Sequence, residues 1–368
     1  MDMNSRKIAV IHVVLVVFAS GYGEGEAQET PTTTTLVPAV ITFGDSVVDV
    51  GNNVNLNTLF KADYLPYGKD FGNHKPNGRF CNGKLATDVT AETLGFKNSA
   101  HPYLSPRASG KNLLRGVNFA SAASGYDDNT AILHHAIPLS QQLNYYKEYQ
   151  RKLARVVGSN KSASIINEAL YLLATGSGDF LHNYYINPKL NKTTFTPDKY
   201  SSYLVAAFES FIKDLYGLGA RRIGVVSLPP LGCLPATRTL FSSHDHNIIN
   251  GGCVSSINHD AQTFNNKLNS SALFLQKQLL GLKIVVFDIF KPLYDLVQSP
   301  SKFGFVEASK GCCGRGSERI RVFLCNPKSS RTCSNATQYV FWDGVHPSEA
   351  ANKILADSML LQGISLVT

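Results

Sequence analysis

The sequence predicts an α/β protein built on a central parallel β-sheet. Short apolar runs rich in β-branched residues alternate along the chain with longer segments of helical periodicity, and this alternation is typical of a parallel sheet with helices on both faces. Hydrophobic residues make up 43% and charged residues 17% of the 368 residues, which is the balance of a folded globular protein. A sizeable core is therefore expected.

The predicted strands are apolar runs bounded by turn residues. The first covers residues 37–43 and stops at the tight-turn sequence Gly44-Asp45-Ser46. Four more buried strands are predicted at residues 116–120, 169–174, 223–228 and 284–287. Functional groups gather at the carboxyl ends of such strands, so Ser46, Ser124 and Asp179 are expected at one edge of the sheet.

The predicted helices lie between these strands and after them. They cover residues 139–156, 200–218, 261–280 and 348–361. The last helix has the clearest start, because Pro347 is expected in its first turn, where proline is tolerated, and Glu349 favours the positive end of a helix. The loop before it carries Asp343 and His346, three residues apart. Both side chains are expected to point into one site.

Residues 1–27 have the pattern of a secretory signal peptide. Arg6 and Lys7 precede an apolar run over residues 8–19, and small and acidic residues follow. This run is about a dozen residues long, whereas a membrane-spanning helix needs roughly 20, so an uncleaved anchor is the weaker interpretation. Cleavage is expected between Ala19 and Ala27, before a Thr-rich linker at residues 28–36 and a single domain at residues 37–368.

The cysteines and sequons fit an oxidising compartment. Six cysteines in loop-like surroundings are expected to form disulfides, namely Cys233, Cys253, Cys312, Cys313, Cys325 and Cys333. Cys81 is expected to be a free or buried thiol, and zinc ranks below disulfides because no Cys-x-x-Cys is present. The glycosylation candidates are Asn160, Asn191, Asn269 and Asn335. We expect a secreted protein, extracellular or in the cell wall.

The charge balance is basic. The net charge is +8, and removal of residues 1–27 takes away two basic and three acidic residues, which raises it to +9. Attraction to acidic cell-wall polysaccharide or anionic lipid is one interpretation, and an ordinary solvated surface is the favoured one. No cluster of Lys and Arg with interleaved aromatic residues supports nucleic-acid binding. No coiled-coil seam is visible, so a monomer without a stable membrane anchor is expected.

Three separated residues have the types that nucleophilic catalysis needs. A serine hydroxyl is a poor nucleophile at neutral pH unless a base removes its proton and a third group orients that base. Ser46, His346 and Asp343 supply these types, and a parallel sheet can bring opposite ends of a chain together. Each motif alone is weak, because Gly-Asp-Ser and Asp-Gly-x-His more often occur as ordinary turns and loops.

The flanking residues strengthen this assignment. Residues 43–53 (FGDSVVDVGNN) and 341–349 (FWDGVHPSE) resemble the first and last sequence blocks of the plant GDSL branch of the SGNH esterase/lipase family. Three intervening segments are also similar to plant GDSL members, at residues 77–84, 116–125 and 228–233. Five blocks in order, within residues 37–361, make the resemblance specific.

The resemblance implies a three-layer, flavodoxin-like SGNH-hydrolase fold and ester hydrolysis through an acyl-enzyme, without a cofactor. It implies an oxyanion hole made by the N–H of Ser46, a glycine N–H of the second block and an asparagine side chain of the third. Here Ala123 replaces that glycine and keeps an N–H, while Gly178 stands in place of the asparagine. Loss of one oxyanion donor lowers turnover roughly 100- to 1,000-fold in a well-studied hydrolase. The Gly178 N–H, Ser177, Asn183 or a water are the candidate substitutes.

The leading functional hypothesis is hydrolysis of acyl esters, such as lipids, cutin-like polyesters or acetylated wall polymers. An acyltransferase would use the same acyl-enzyme and pass the acyl group to an alcohol. A third hypothesis is a secreted binding protein weakened in catalysis by the change at Gly178. Hydrolysis is favoured because Ser46, Asp343 and His346 are all present.

Other polar clusters are interpreted as structural. The pair His244 and His246 lies in a Ser/Asn-rich stretch without an obvious third ligand, so a surface loop is favoured over a metal site. His134 is expected to be partly buried or exposed structure. Tyr184 and Tyr185 are expected to line a groove or pack in the core. Asn52 and Asn53 are interpreted as turn formers.

Overall fold

A computed structural model describes residues 35–98, 100–187, 195–241, 248–249, 252–313, 322–328 and 331–368. Within these residues, short parallel strands alternate with helices. The strands are β1 (Val40–Gly44), β2 (Leu170–Ala174), β3 (Arg222–Val226), β4 (Ile248–Ile249), β5 (Cys253–Val254), β6 (Lys283–Phe287), β7 (Glu307–Gly311) and β8 (Tyr339–Phe341).

The central sheet has the order β1-β2-β3-β6, and all neighbouring strands run parallel. Gly44 at the end of β1 is paired with Ala174 at the end of β2, and Val226 of β3 with Phe287 of β6. The carboxyl ends of the strands therefore lie at one edge. Two small sheets lie outside the centre, an antiparallel pair of β4 with β5 and a parallel pair of β7 with β8.

Helices cover both faces of this sheet. They are α1 (Ala86–Thr93), α2 (Asp128–Leu133), α3 (Leu139–Val157), α4 (Ser159–Glu168), α5 (Pro197–Gly217), α6 (Pro235–Phe241), α7 (Ser255–Gln278), α8 (Phe290–Gln298), α9 (Glu349–Gln362) and α10 (Ile364–Val367). A π-helix covers Asp179–Ile186, and 3₁₀ turns cover Asn52–Asn55, Gly110–Arg115, Leu231–Cys233, Pro300–Phe303 and Ala336–Gln338.

The two faces have separate cores. Phe43, Tyr171 and Val225 point from the sheet into a large cluster with α3, α5 and α7. Leu170 and Leu172 point to the opposite face, into a smaller cluster with α1, α9 and α10. Alternate residues of a strand face opposite sides, so this division follows directly from the strand period. The result is the three-layer α/β fold with a central parallel sheet that the sequence predicts.

Two local predictions need correction. Residues 116–120 do not form a regular strand; they lie beside β1 through one bridge at Thr42, with the Thr42 N–H bonded to the Val117 carbonyl. Pro347 is not in the first turn of the last helix. Ser348 is the N-cap of α9, and its Oγ accepts the Ala351 N–H at 3.2 Å. A serine cap satisfies an otherwise unpaired helix donor, which places the helix start after the proline.

The cysteine predictions are confirmed. The disulfides are Cys233–Cys253, Cys312–Cys333 and Cys313–Cys325, and Cys81 is a buried free thiol. Asn160, Asn269 and Asn335 lie on the surface. The predicted signal peptide, Asn191 and the pair His244 and His246 lie outside the described residues. In the part of the chain that is described, no helix has the length and apolar character needed to cross a membrane.

Candidate active site

Ser46, His346 and Asp343 form a continuous hydrogen-bonded chain at the carboxyl edge of the sheet. Ser46 Oγ lies 2.7 Å from His346 Nε2. On the other side of the ring, His346 Nδ1 lies 2.9 and 2.8 Å from the two carboxylate oxygens of Asp343. Asp343 and His346 are buried, whereas Ser46 is half-buried and faces a cavity. With Nδ1 donating to the carboxylate, Nε2 is left to accept the Ser46 proton.

The serine occupies a turn that immediately follows β1. Gly44 ends the strand with φ +138°, and a Cβ there would lie 1.9 Å from the Ala174 carbonyl oxygen, so no other residue fits. The side chain of Gln142, on α3, accepts the Gly44 N–H and donates to the Gly44 carbonyl, each at 2.9 Å. Strand geometry and a buried amide thus fix the backbone that presents Ser46.

Asp343 is oriented by four donors. It accepts the backbone N–H groups of Val345 and His346 at 2.9 and 2.7 Å, in addition to the His346 ring. The buried hydroxyl of Tyr67 donates to Asp343 Oδ2 at 2.8 Å and accepts the Cys325 N–H at 3.1 Å. Nothing in the sequence around Tyr67 indicates this contact with Asp343.

The loop that carries Asp343 and His346 is also braced by the disulfide-rich region. The N–H groups of Cys312 and Cys313 donate to the carbonyls of Phe341 and Trp342, at 3.1 and 2.8 Å. Gly344 passes close to this region, since a Cβ there would lie 1.9 Å from the Val322 carbonyl oxygen. Two of the three disulfides therefore hold the backbone next to the site.

Ala123 and Gly178 lie on the other side of Ser46. Both line the same cavity as Ser46 and His346. Within the described residues, no hydrogen bond occupies the backbone N–H of Ser46, Ala123 or Gly178. Ala123 has φ +66°, a conformation that disfavours an L-residue by roughly 1–2 kcal/mol relative to glycine. The family glycine at this position would adopt that conformation without strain.

Buried polar side chains hold the segment that contains Ala123. Asp49 accepts the N–H groups of Gly51 and Ala122 at 2.7 and 3.0 Å, and burial raises the pKa of its carboxyl to about 6. Asn52 and Asn53 donate to carbonyls of the same segment, at Ala120 and Ala122. These two asparagines do more than form a turn: they connect it to residues 118–122, and neither donates to Ser46.

Asp179, at the start of the π-helix, holds the end of this segment. It accepts the Tyr126 N–H at 2.7 Å and the Thr130 hydroxyl at 2.6 Å. Burial raises the pKa of its carboxyl to about 7, although these donors favour the charged form. A Cβ on Gly125 would lie 2.1 Å from Asp179 Oδ1, so a glycine is required for this approach. Asn183 donates to Tyr200 rather than toward Ser46.

Two ionisable groups beside the triad were not recognised as site residues from the sequence. Burial raises the pKa of the Asp45 carboxyl to about 7, partly offset by the Val47 N–H and by His346. His182 lines the same cavity as Ser46, and burial, with His134 and His346 nearby, lowers its pKa to about 3. The His182 ring is therefore neutral at neutral pH.

The structure also places the remaining predicted polar residues. His134 is partly buried and packs against Phe60 and His182, with ring centroids 4.7 and 5.2 Å apart. Tyr184 packs in the core, stacked on Tyr200. Among the described residues, no group of three His, Cys, Asp or Glu side chains has the arrangement of a metal site.

Two cavities meet at Ser46. The smaller holds about 390 Å³, including space open to solvent, and contains Ala123, Gly178 and His182. The larger holds about 920 Å³ on the same basis and lies between the sheet edge, α1 and α9. Asp45, Ser46, Ser177, Val345 and His346 line both. Ser46 thus lies between a small cavity of mixed polar and apolar lining and a larger, mainly apolar one.

Comparison with known proteins gives a consistent assignment. A model of the GDSL-like lipase/acylhydrolase family matches residues 40–359. "GDSL esterase/lipase APG" of Arabidopsis thaliana is 65% identical over 332 residues, which is 90% of this chain and 92% of that protein. "GDSL esterase/lipase At5g22810" of the same plant is 56% identical over 336 residues, with 90% and 91% coverage. "GDSL esterase/lipase At5g03820" is 54% identical over 355 residues, with 96% and 97% coverage.

Proposed function

The chain belongs to the GDSL-like lipase/acylhydrolase family and is a carboxylic-ester hydrolase, and from this premise we propose that it hydrolyses acyl esters through an acyl-enzyme on Ser46. The observation that carries the proposal is the hydrogen bond of 2.7 Å between Ser46 Oγ and His346 Nε2, in a ring oriented by Asp343. The nucleophile, the base and the group that orients the base are already in hydrogen-bond contact, so no side chain has to move before the reaction starts.

In the first half of the reaction, Ser46 Oγ attacks the ester carbonyl carbon while His346 Nε2 takes the hydroxyl proton. Asp343 stabilises the imidazolium that forms and holds its tautomer. The tetrahedral intermediate collapses by breaking the bond to the alcohol oxygen, and His346 returns the proton to that oxygen. The free alcohol leaves and the acyl group remains on Ser46.

In the second half, water replaces the alcohol. His346 Nε2 takes a proton from the water as its oxygen attacks the acyl carbonyl carbon. Collapse of the second intermediate breaks the bond to Ser46 Oγ, which regains its proton from His346, and a carboxylic acid is released. No group beyond the chain and water is needed to balance these steps.

The oxyanion of both intermediates is assigned to backbone donors. The N–H groups of Ser46, Ala123 and Gly178 border the cavity that the carbonyl oxygen would enter. Gly178 carries no side-chain amide, so its backbone N–H replaces the donor that an asparagine would supply. Preorganised donors of this kind typically contribute several kcal/mol to the transition state.

Secretion is part of the proposal. The signal-peptide pattern of residues 1–27 supports it, as do three disulfides and the exposed sequons at Asn160, Asn269 and Asn335. Disulfides persist in oxidising compartments and are rare in the cytosol. The full chain can be expressed in plant cells and its N-terminus determined by mass spectrometry of the apoplastic fluid. We expect a secreted chain whose N-terminus results from cleavage between Ala19 and Ala27.

The test is hydrolysis of p-nitrophenyl acetate by the purified protein and by Ser46→Ala. The variant is expected to lose roughly 10⁴-fold or more in kcat, because removal of a triad nucleophile leaves only binding and oxyanion stabilisation. Ser270→Ala is the matched control, since Ser270 is exposed on α7 and lines neither cavity. Equal turnover by wild type and Ser46→Ala would overturn the assignment.

Product analysis with added alcohols separates hydrolysis from acyl transfer. The proposal predicts carboxylic acid as the main product at millimolar alcohol, because water reaches the half-exposed Ser46. Predominant transfer of the acyl group to the added alcohol would identify an acyltransferase instead.

A further inference from the structure

The larger cavity continues away from Ser46 along one face of the sheet. A second, smaller cavity begins where the first ends, and the two share Val48, Thr87, Ala174, Val226 and Met359 as lining residues. The second cavity extends past Leu172 and Leu170 of β2, toward the end of the chain at Val367. Together the two cavities form a channel between the sheet, α1 and the pair α9 and α10. This channel runs through the smaller core cluster of that face, whose members Leu170, Leu172 and Met359 line it.

The walls of this channel are mainly apolar. Along β2, Ala174, Leu172 and Leu170 lie on the same face of the strand, so they form a continuous apolar floor. At a rise of roughly 3.3 Å per residue, this floor runs for about 13 Å. Met359, on α9, lies over the junction and is an adaptable side chain that can move aside.

The small cavity has a mixed lining: beside the apolar side chains of Phe60, Leu181, Phe323 and Leu324, it carries polar groups next to Ser46. It contains the unoccupied N–H groups of Ala123 and Gly178, the neutral imidazole of His182 and the hydroxyl-bearing Ser124. These are groups that bind an oxygen atom. Once the ester carbonyl oxygen points there, the channel is the longer apolar space that begins next to the reacting carbon.

From this arrangement, and resting on the proposed function, we propose that the channel holds the acyl chain of the substrate and selects esters of long, unbranched, apolar acids. Val226 lines both cavities and marks the point at which an acyl chain would pass from the first cavity into the second. Short acyl groups fill only the first cavity, and longer chains gain apolar burial beyond Val226. Each additional buried methylene is expected to raise kcat/KM roughly fourfold until the channel is full.

The first test is the acyl-length profile of kcat/KM for p-nitrophenyl acetate, butyrate, octanoate and laurate. Wild type is expected to favour laurate over acetate by at least a hundredfold. Val226→Phe is expected to lower the laurate-to-acetate ratio at least tenfold, because the larger ring narrows the junction. Ala86→Phe, at the half-buried start of α1, fills the first cavity and is expected to lower the ratio as well, which keeps the test valid if Val226→Phe does not fold.

Thr93→Phe is the matched control. It adds the same ring to an exposed position on the same helix and lines neither cavity, so it is expected to leave the length profile unchanged. Equal effects of Thr93→Phe and Val226→Phe, or a wild-type profile that is flat from acetate to laurate, would overturn the channel assignment.

A second set of substrates identifies which part of the ester occupies the channel. Ethyl, octyl and dodecyl acetate vary the alcohol at a constant acyl group, and their kcat/KM values are expected to rise little with length and to respond little to Val226→Phe. If kcat/KM rose with the length of the alcohol, and this rise disappeared in Val226→Phe, the proposal would be overturned. Wild-type turnover of p-nitrophenyl acetate reports the proposed function separately, so failure of the channel and failure of the esterase are distinguishable.

Discussion

The two sides of the site are built differently. On the side of Asp343 and His346, side chains make the functional contacts, and they are held by Tyr67 and by the disulfide-bonded region. On the side of Ala123 and Gly178, the groups that face Ser46 are backbone N–H groups, positioned indirectly by the buried carboxylates Asp49 and Asp179. The residue types that a sequence reveals as functional therefore lie mainly on the side of Asp343 and His346.

This difference sets an expectation for mutations. A change on the side-chain half removes a reacting or orienting group outright, so its effect on turnover is large. A change on the backbone half shifts an N–H that is still present, so its effect is smaller and depends on how far the segment moves.

The largest effect is expected for Asp343→Asn. The amide keeps the shape but removes the carboxylate that holds the His346 tautomer and stabilises the imidazolium, so kcat is expected to fall roughly 10⁴-fold. Steady-state hydrolysis of p-nitrophenyl acetate gives the measurement, with the circular dichroism spectrum as the check on folding. A loss below tenfold in a folded variant would show that the side-chain half is not dominant.

An intermediate effect is expected at Gly178, where two variants are compared. A Cβ would lie 3.0 Å from the Ser124 carbonyl oxygen, next to Ala123, so Gly178→Ala is expected to lower kcat about tenfold by displacing the backbone donors. Gly178→Asn adds the same Cβ and also an amide. A higher kcat for Gly178→Asn than for Gly178→Ala would show that the added amide reaches the oxyanion, and equal values would show that it does not.

A smaller effect is expected for Tyr67→Phe. The variant removes the hydroxyl that donates to Asp343 Oδ2 and leaves the Cys325 N–H without that acceptor. We expect a loss of several-fold in kcat and about 1–3 kcal/mol in the free energy of unfolding. Tyr64→Phe is the control, because the Tyr64 hydroxyl donates to the Cys325 carbonyl at 2.9 Å and does not contact Asp343. If both variants lost kcat equally, the role of Tyr67 would be structural only.

The smallest effect on turnover is expected for Asp45→Asn. The main effect of this variant is on the free energy of unfolding, and it depends on pH. Burial raises the pKa of this carboxyl from 3.8 to about 7, so its contribution to folding is fully present below pH 3.8 and is lost as pH rises through about 7. Asp45→Asn, which does not ionise, is expected to gain stability relative to wild type between pH 4 and pH 8, by ~4 kcal/mol at most. Urea unfolding across this range gives the measurement. A difference that stays constant with pH would contradict the prediction.

The sequence predicted the sheet well because buried parallel strands are short apolar runs, and the runs that became β1, β2, β3 and β6 lie within a few residues of the predicted ones. Residues 116–120 were overpredicted as a strand. β1 exchanges several backbone hydrogen bonds with this segment, but Thr42 and Asn118 are the one bridged pair between them, so no regular ladder forms. Such tertiary pairing leaves no periodic signal.

The site was predictable to the extent that its chemistry resides in side chains. Ser46, Asp343 and His346 were predicted from their residue types and from flanking blocks that resemble the family, and they lie in hydrogen-bond contact. Tyr67 was missed because one tyrosine far from the motifs carries no signal until the fold brings it to Asp343. The left-handed conformation of Ala123 was missed because an alanine gives no indication of positive φ. Backbone donors in general are invisible in a sequence.

The most direct test of a nucleophilic Ser46 is labelling of the intact protein with a fluorophosphonate, followed by peptide mass mapping. A single phosphonyl adduct on the peptide that contains Ser46, absent from Ser46→Ala and reduced in His346→Ala, is the predicted result. A folded wild type that takes up no label, or that carries the label on another serine, would contradict the triad and the acyl-enzyme that depends on it.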